Sequence, residues 1–169
     1  MNRARARTLL IVSLALAGCG ADGSPTGPGP MAQSALVGNW LSAGADVAPL
    51  LAKPPFNDTM ITATFNADST YTVLGVDNAN KTTSFTGTYT ATPSEVDGIF
   101  DITIAQNQPS TAAAQGIYQI DPATHRMKYE VVQTQPTNGI TPPTASAGFG
   151  STVYNGKKID SLIQNFSRQ

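Results

Sequence analysis

From residue 36 onward, apolar and polar positions alternate with a period of two, the spacing of a strand with one buried face. Over 59–65, Ile61, Ala63 and Phe65 share one face, and Met60, Thr62 and Thr64 share the other. Asn66-Ala67-Asp68-Ser69 then supplies turn chemistry, because short polar side chains bond to their own backbone. A partner strand over 70–76 carries Tyr71 and Val73 on one side, and Asp77-Asn78-Ala79-Asn80 predicts the next turn. Over 82–91, Phe85, Gly87, Tyr89 and Ala91 alternate with Thr86, Thr88 and Thr90, residues that suit a pleated surface. Pro93 to Asp97 breaks the run. Strand 99–105 follows, with Phe100, Ile102 and Ile104 opposite Asp101 and Thr103.

Strand 115–120 leads through the turn residues 121–125 into strand 126–133. There Met127, Tyr129 and Val131 oppose Lys128, Glu130 and Val132. Residues 134–147, rich in Pro, Thr and Ala, predict a long loop. A short strand over 151–154 precedes Asn155-Gly156, a strong turn pair. Residues 159–168 fit either a last strand or a short helix, with the strand preferred. A helical turn or two over 47–53 would end at Pro54-Pro55. Eight or nine short strands at near-regular spacing predict an all-β fold, an antiparallel up-and-down meander. Closing such a meander into a small barrel of about eight strands removes its exposed edges. The predicted domain covers 36–169. Before it, Pro and Gly alternate without an apolar period, which predicts a flexible linker over 19–35.

The first 18 residues have a different character. Arg3, Arg5 and Arg7 are followed by an apolar run from Leu9 to Ala17, too short to span a bilayer and laid out like a secretory signal. The run ends in Leu16-Ala17-Gly18-Cys19, which resembles the lipobox of bacterial lipoproteins. That resemblance implies removal of 1–18 and a diacylglyceryl thioether on Cys19, with further acylation (palmitate) tying the chain to a membrane. Two or three acyl chains anchor firmly at about 0.8 kcal/mol per buried methylene. Gly20, where an Asp would resemble an inner-membrane retention signal, points to the outer membrane, on its periplasmic or surface face.

Composition narrows the partners. Hydrophobic residues make up 40% of the chain, enough for a packed core. Charged residues are only 12%, so Thr, Ser, Asn and Gln must build most of the solvated face. A net charge of −1 gives no footprint for nucleic acid. The single Cys rules out an intramolecular disulfide.

Leu36-Val37-Gly38-Asn39-Trp40 resembles the Gly-x-Trp signature on the first strand of lipocalins and lipocalin-like bacterial domains. The segment from Ile61 to Tyr71, with its Asp-containing turn and Thr-Tyr strand, is similar to the second hairpin of such domains. Thr86-Gly87-Thr88-Tyr89 and the run from Gly116 to Asp121 fit the same pattern. The resemblance implies that Trp40 plugs one end of the barrel and that Arg168 lies across the indole. A second signature of the Thr-Asp-Tyr kind is missing from this chain.

Candidate chemistry is sparse. His125 is the one His and sits in a turn, too isolated for a typical zinc site. No Ser occupies a Gly-x-Ser-x-Gly elbow. Asp97, Asp101, Asp121 and Glu130 fall at strand ends or on outward positions, as solvated carboxylates would. The Asp77 turn lacks the spaced carboxylates and final Glu of a calcium loop. The expectation is a protein without catalytic activity, cofactor or metal. Its first functional reading is a lipid-anchored barrel that binds a small apolar ligand. The small residues Ala63, Gly75, Gly87 and Ala91 would leave room inside, with Phe65, Tyr71, Phe85 and Tyr89 lining the pocket and 134–147 near its mouth. The alternative is a structural or interaction module of the cell envelope with a filled core.

Overall fold

Eight strands close into one antiparallel barrel in the computed structural model, which describes residues 29–169. Helix α1 (Gly29–Leu36) leads into β1 (Gly38–Ala43) and a single tight helical turn, Gly44–Asp46. Then come β2 (Asp58–Phe65), β3 (Thr70–Asp77), β4 (Thr82–Pro93), β5 (Phe100–Gln108), β6 (Ala112–Asp121) and β7 (Arg126–Gln135). Three two-residue strands, β8 (Ile140–Thr141), β9 (Val153–Tyr154) and β10 (Lys157–Lys158), form a separate small sheet. β11 (Gln164–Arg168) returns to the barrel, whose order is β1-β11-β7-β6-β5-β4-β3-β2. This is the lipocalin-like up-and-down arrangement, and closure pairs β1 with both β2 and β11.

The turns form where the short polar residues stand. Asp77 Oδ1 accepts from the backbone N–H groups of Ala79 and Lys81, and Asp121 accepts from Ala123 and Thr124. Ser69, Asn80 and His125 carry positive φ at their turns. Asp77 is thus occupied by its own turn, and His125 is an exposed turn residue. The inward faces follow the period-two reading: Ile61, Ala63 and Phe65 are buried, as are Ile102 and Ile104.

One end of the barrel is closed by α1. Ala32 and Leu36, four residues apart and so on one helical face, are both fully buried in the core. The Trp40 indole donates to Leu36 O at 2.8 Å, and the Tyr118 hydroxyl donates to Ala32 O at 2.7 Å. Here the structure departs from the linker expected over 19–35: the chain is helical from Gly29, because Ala32 and Leu36 find an apolar surface to cover. The remainder of that linker, with the signal segment 1–18, Leu16, Ala17, Gly18 and Cys19, lies outside the described residues.

Gly38 explains part of the Gly-x-Trp spacing. Its φ is +140°, and a Cβ there would stand 2.8 Å from Arg168 Nη1. Gly38→Ala is therefore expected to lower stability by about 1–3 kcal/mol, read as a lower urea midpoint with an unchanged slope; an unaltered midpoint would contradict this role.

Two other expectations change at the opposite end. Residues 159–168 form a strand only from Gln164, since the preceding stretch folds back to the β1–β2 connection, where Leu50 N donates to Ser161 O. The segment 134–147 is not one long loop: Thr134 and Gln135 end β7, and Ile140–Thr141 forms β8. It begins an excursion over 136–163 that lies against the outer wall of β5, β6 and β7. That covering buries Ile117 and Glu130, both on outward positions.

Candidate functional site

The end opposite α1 holds a half-open cavity of about 230 Å³. Its origin is a mismatch of side-chain size along the barrel. Near α1, inward positions carry Trp40, Tyr71, Tyr89 and Tyr118, all buried. Toward the other end, the inward positions of β2 and β3 hold Ile61, Ala63, Val73 and Gly75, which leave space between them. Phe65 and Phe85 form part of the wall, with Tyr129, Val131 and Phe166 opposite. Leu51 and Phe56 from the β1–β2 connection and Leu162 from the excursion complete the lining. A larger hollow of about 510 Å³ beside Pro142 and Pro143 lies on the outer wall and is more open and more polar.

Three polar groups border the cavity. Asp58 leans over Gly75, where a Cβ would come 3.2 Å from its Oδ1. Burial and the charge of its cross-strand neighbour Asp77 raise the Asp58 carboxyl above its ordinary value. Burial, reinforced by the Tyr71 and Tyr118 phenols, pushes the Tyr129 hydroxyl well above the usual phenol range, so it is neutral at pH 7. Gln164 enters from β11, directly across from Tyr129 in the strand register. Its Oε1 accepts the backbone N–H of Ala48 at 3.1 Å.

The residues expected to contact a ligand divide into two pairs. Phe65 and Phe85 line the cavity; Tyr71 and Tyr89 do not. The Tyr89 hydroxyl donates to Asn66 O at 2.9 Å, which holds it toward the helix-closed end, and its ring meets Phe65 edge-on at 5.0 Å. Tyr71, at the start of β3, also neighbours Phe65, 6.4 Å between centroids. Of the small residues, Ala63 and Gly75 border the space, whereas Gly87 and Ala91 do not. Gly87 sits at a register shift, where a Cβ would collide with the Ala105 carbonyl, so its role is close strand approach.

Trp40 and Arg168 are placed side by side. Arg168 Cζ lies 4.5 Å from the indole centroid, and the guanidinium donates to Val37 O at 2.9 Å and Ala35 O at 2.5 Å. Those carbonyls belong to the end of α1 and the residue after it, so one cation both stacks on the indole and caps the helix. Neither member of this pair lines the cavity.

The sequence does not single out Gln164, Tyr129, Phe166, Asp58, Leu51, Phe56 or Leu162 as cavity residues. A Gln on the inward face of a closing strand was the available signal, hidden by the ambiguity of 159–168. Among the carboxylates expected in solvent, Asp97, Asp101 and Asp121 are exposed, but Glu130 is fully buried. It accepts from Gly150 N at 2.6 Å, Thr152 N at 3.2 Å and Thr152 Oγ1 at 2.5 Å, because the excursion folds over it. Among the described residues no cluster of three His, Cys, Asp or Glu side chains is arranged to hold a metal. Compared with protein-family models, curated proteins and solved structures, the chain matches none of them.

Proposed function

We propose that this chain is a lipid-anchored envelope protein whose barrel binds a small, largely apolar ligand and does not catalyse a reaction. The observation that carries the binding reading is the half-open, mostly apolar cavity at the end opposite α1. Ligand pockets generally start at about 300 Å³. At about 230 Å³ the cavity suits a one-ring molecule better than a fatty acid or a retinoid. In volume it equals about eight waters at ~30 Å³ each. The test is methyl NMR of Ile61, Val73 and Leu162 during titration with one-ring apolar compounds. Shifts confined to these lining methyls are expected. No shift with any compound would favour the second reading, a structural or interaction module, to which the aromatic-filled half next to α1 lends weight. Trp40 fluorescence is an indirect reporter, because the indole itself does not line the cavity.

The anchor reading rests on Arg3, Arg5 and Arg7, the apolar run and Leu16-Ala17-Gly18-Cys19. Cys19→Ser is expected to move the protein from the membrane fraction to the aqueous one, since a thioether cannot form without the thiol. The outer membrane is the proposed destination. Retention of the Cys19→Ser protein in membranes would overturn the anchor reading.

A further inference from the structure

Of the side chains that line the cavity, only Asp58 carries a charge; no Lys, Arg or His is among them. Asp58 begins β2 at the end of the barrel away from α1, since the other end of β2 pairs Phe65 with Gly38. Plain alternation from Ile61 would turn the Asp58 side chain outward. A register shift between Asp58 and Met60 reverses that. Thr59 becomes the extra residue, exposed, with its hydroxyl donating to Val76 O at 3.1 Å. Asp58 then pairs with Asp77, on the face that Val73 and Gly75 turn inward. Gly75 leaves the carboxylate its place, for a Cβ there would stand 3.2 Å from Oδ1 and 3.7 Å from Oδ2. The fold itself makes no use of this charge. Among the described residues none donates a hydrogen bond to either Asp58 oxygen or forms an ion pair with it. Burial and the nearby Asp77 both oppose its ionisation, and Asp77 is committed to its own turn. Asp58 is only partly buried, and neither of its oxygens is sealed from contact. The unpartnered amide at this cavity, Gln164 Nε2, has no accessible surface and cannot serve a ligand.

We infer that the Asp58 carboxylate is the counter-ion of the cavity, and that the ligand is a small primary amine, bound as its ammonium form, on a one-ring apolar body. The inference rests on the binding reading above and adds the ligand's charge to it. The ammonium supplies the donors and the positive charge that Asp58 lacks, and it offsets the repulsion from Asp77. The body fills the carbon-walled space, where Phe56 and Phe85 offer ring faces that also favour a cation. An anionic ligand would meet Asp58 with no lining cation to hold it. A neutral ligand would leave the Asp58 charge unpaired.

The test compares phenethylamine with phenethyl alcohol, in which a hydroxyl replaces the ammonium. Each is titrated into the wild-type protein and into Asp58→Asn, with the methyl signals of Ile61, Val73 and Leu162 as the readout. Asp58→Asn keeps the shape of the side chain and removes a charge that folding disfavours, so the variant is expected to fold. It should weaken phenethylamine about tenfold and leave phenethyl alcohol within about twofold. Asp97→Asn removes the same charge from an exposed turn outside the lining, and should leave the amine within about twofold. Equal losses for both probes with Asp58→Asn, or for the amine with both variants, would overturn the inference. A second measurement is made on the wild type. The side-chain carboxyl carbon signal of Asp58 should move with the amine and stay in place with the alcohol. Bound amine with an unmoved Asp58 signal, or binding of the alcohol alone, would overturn the counter-ion while sparing the binding reading. If neither probe binds the wild type, the binding reading fails, and the inference with it.

Discussion

Trp40→Ala is expected to cost about 3–5 kcal/mol, the range for removing a buried large aromatic side chain from a core. The indole is 1% exposed, and three interactions meet on it. Its Nε1 donates to Leu36 O, its face carries the Arg168 guanidinium, and its body packs within the central cluster with Leu36, Ala63 and Phe166. Truncation leaves a cavity, strips the Leu36 carbonyl of its donor and removes the surface on which Arg168 rests. Domains of this size have a total stability of about 5–15 kcal/mol, so the loss is a large share of it. At roughly 2–4 °C per kcal/mol, a melt followed by circular dichroism should shift down by on the order of 10 °C. Trp40→Phe should fall between, since it keeps most of the apolar volume and loses the N–H. A shift of less than about 3 °C for the Ala variant would mean that α1 and Arg168 do not depend on the indole.

Glu130→Ala is expected to act elsewhere, by releasing the excursion over 136–163 from the barrel wall. The carboxylate is fully buried and collects three donors from residues 150 and 152. Hydrogen bonds to an ionised group contribute about 1.5–3 kcal/mol each, and orphaned buried donors add their own penalty. These terms are not additive, so a loss of about 3 kcal/mol or more is the expectation. Glu130→Gln should lose less, because one acceptor oxygen remains for Thr152. The barrel itself keeps its pairing, since β7 bonds to β6 and β11 through the backbone. Amide exchange should therefore accelerate at Gly150 and Thr152 while Met127 and Phe166 stay protected. Unchanged exchange at 150 and 152 would show that the excursion is held by its apolar contacts alone.

Glu130 also marks where reading the chain stops being enough. Its position on β7 alternates with Met127, Tyr129 and Val131 in the manner of an outward residue, and outward it is. Alternation assigns a face; it does not say what covers that face. The covering residues arrive from 20 positions further on, out of a stretch whose Pro and Thr content signals only a loop. The helix α1 has a similar history. Pro and Gly dominate the region before it, so the segment reads as linker, yet the Ala32–Leu36 spacing becomes helical once the end of the barrel is there to be covered.

The strands, by contrast, were legible, and so was the closed meander. Alternation and turn chemistry act between residues a few positions apart, so each hairpin carries its own instructions. Edge avoidance then leaves closure as the stable outcome for eight of them. The site was legible only in part. Phe65 and Phe85 could be picked as inward aromatics, but nothing local distinguishes them from Tyr71 and Tyr89. Whether an inward side chain lines a space or fills one depends on the summed volumes of eight strands at one level of the barrel. It also depends on partners such as Ala48 and Gln164, which meet across 116 residues. Strand identity and facing come from short-range periodicity and are written along the chain. The cavity, the buried carboxylate and the surplus amide of Gln164 come from long-range packing, which exists only once the barrel has closed.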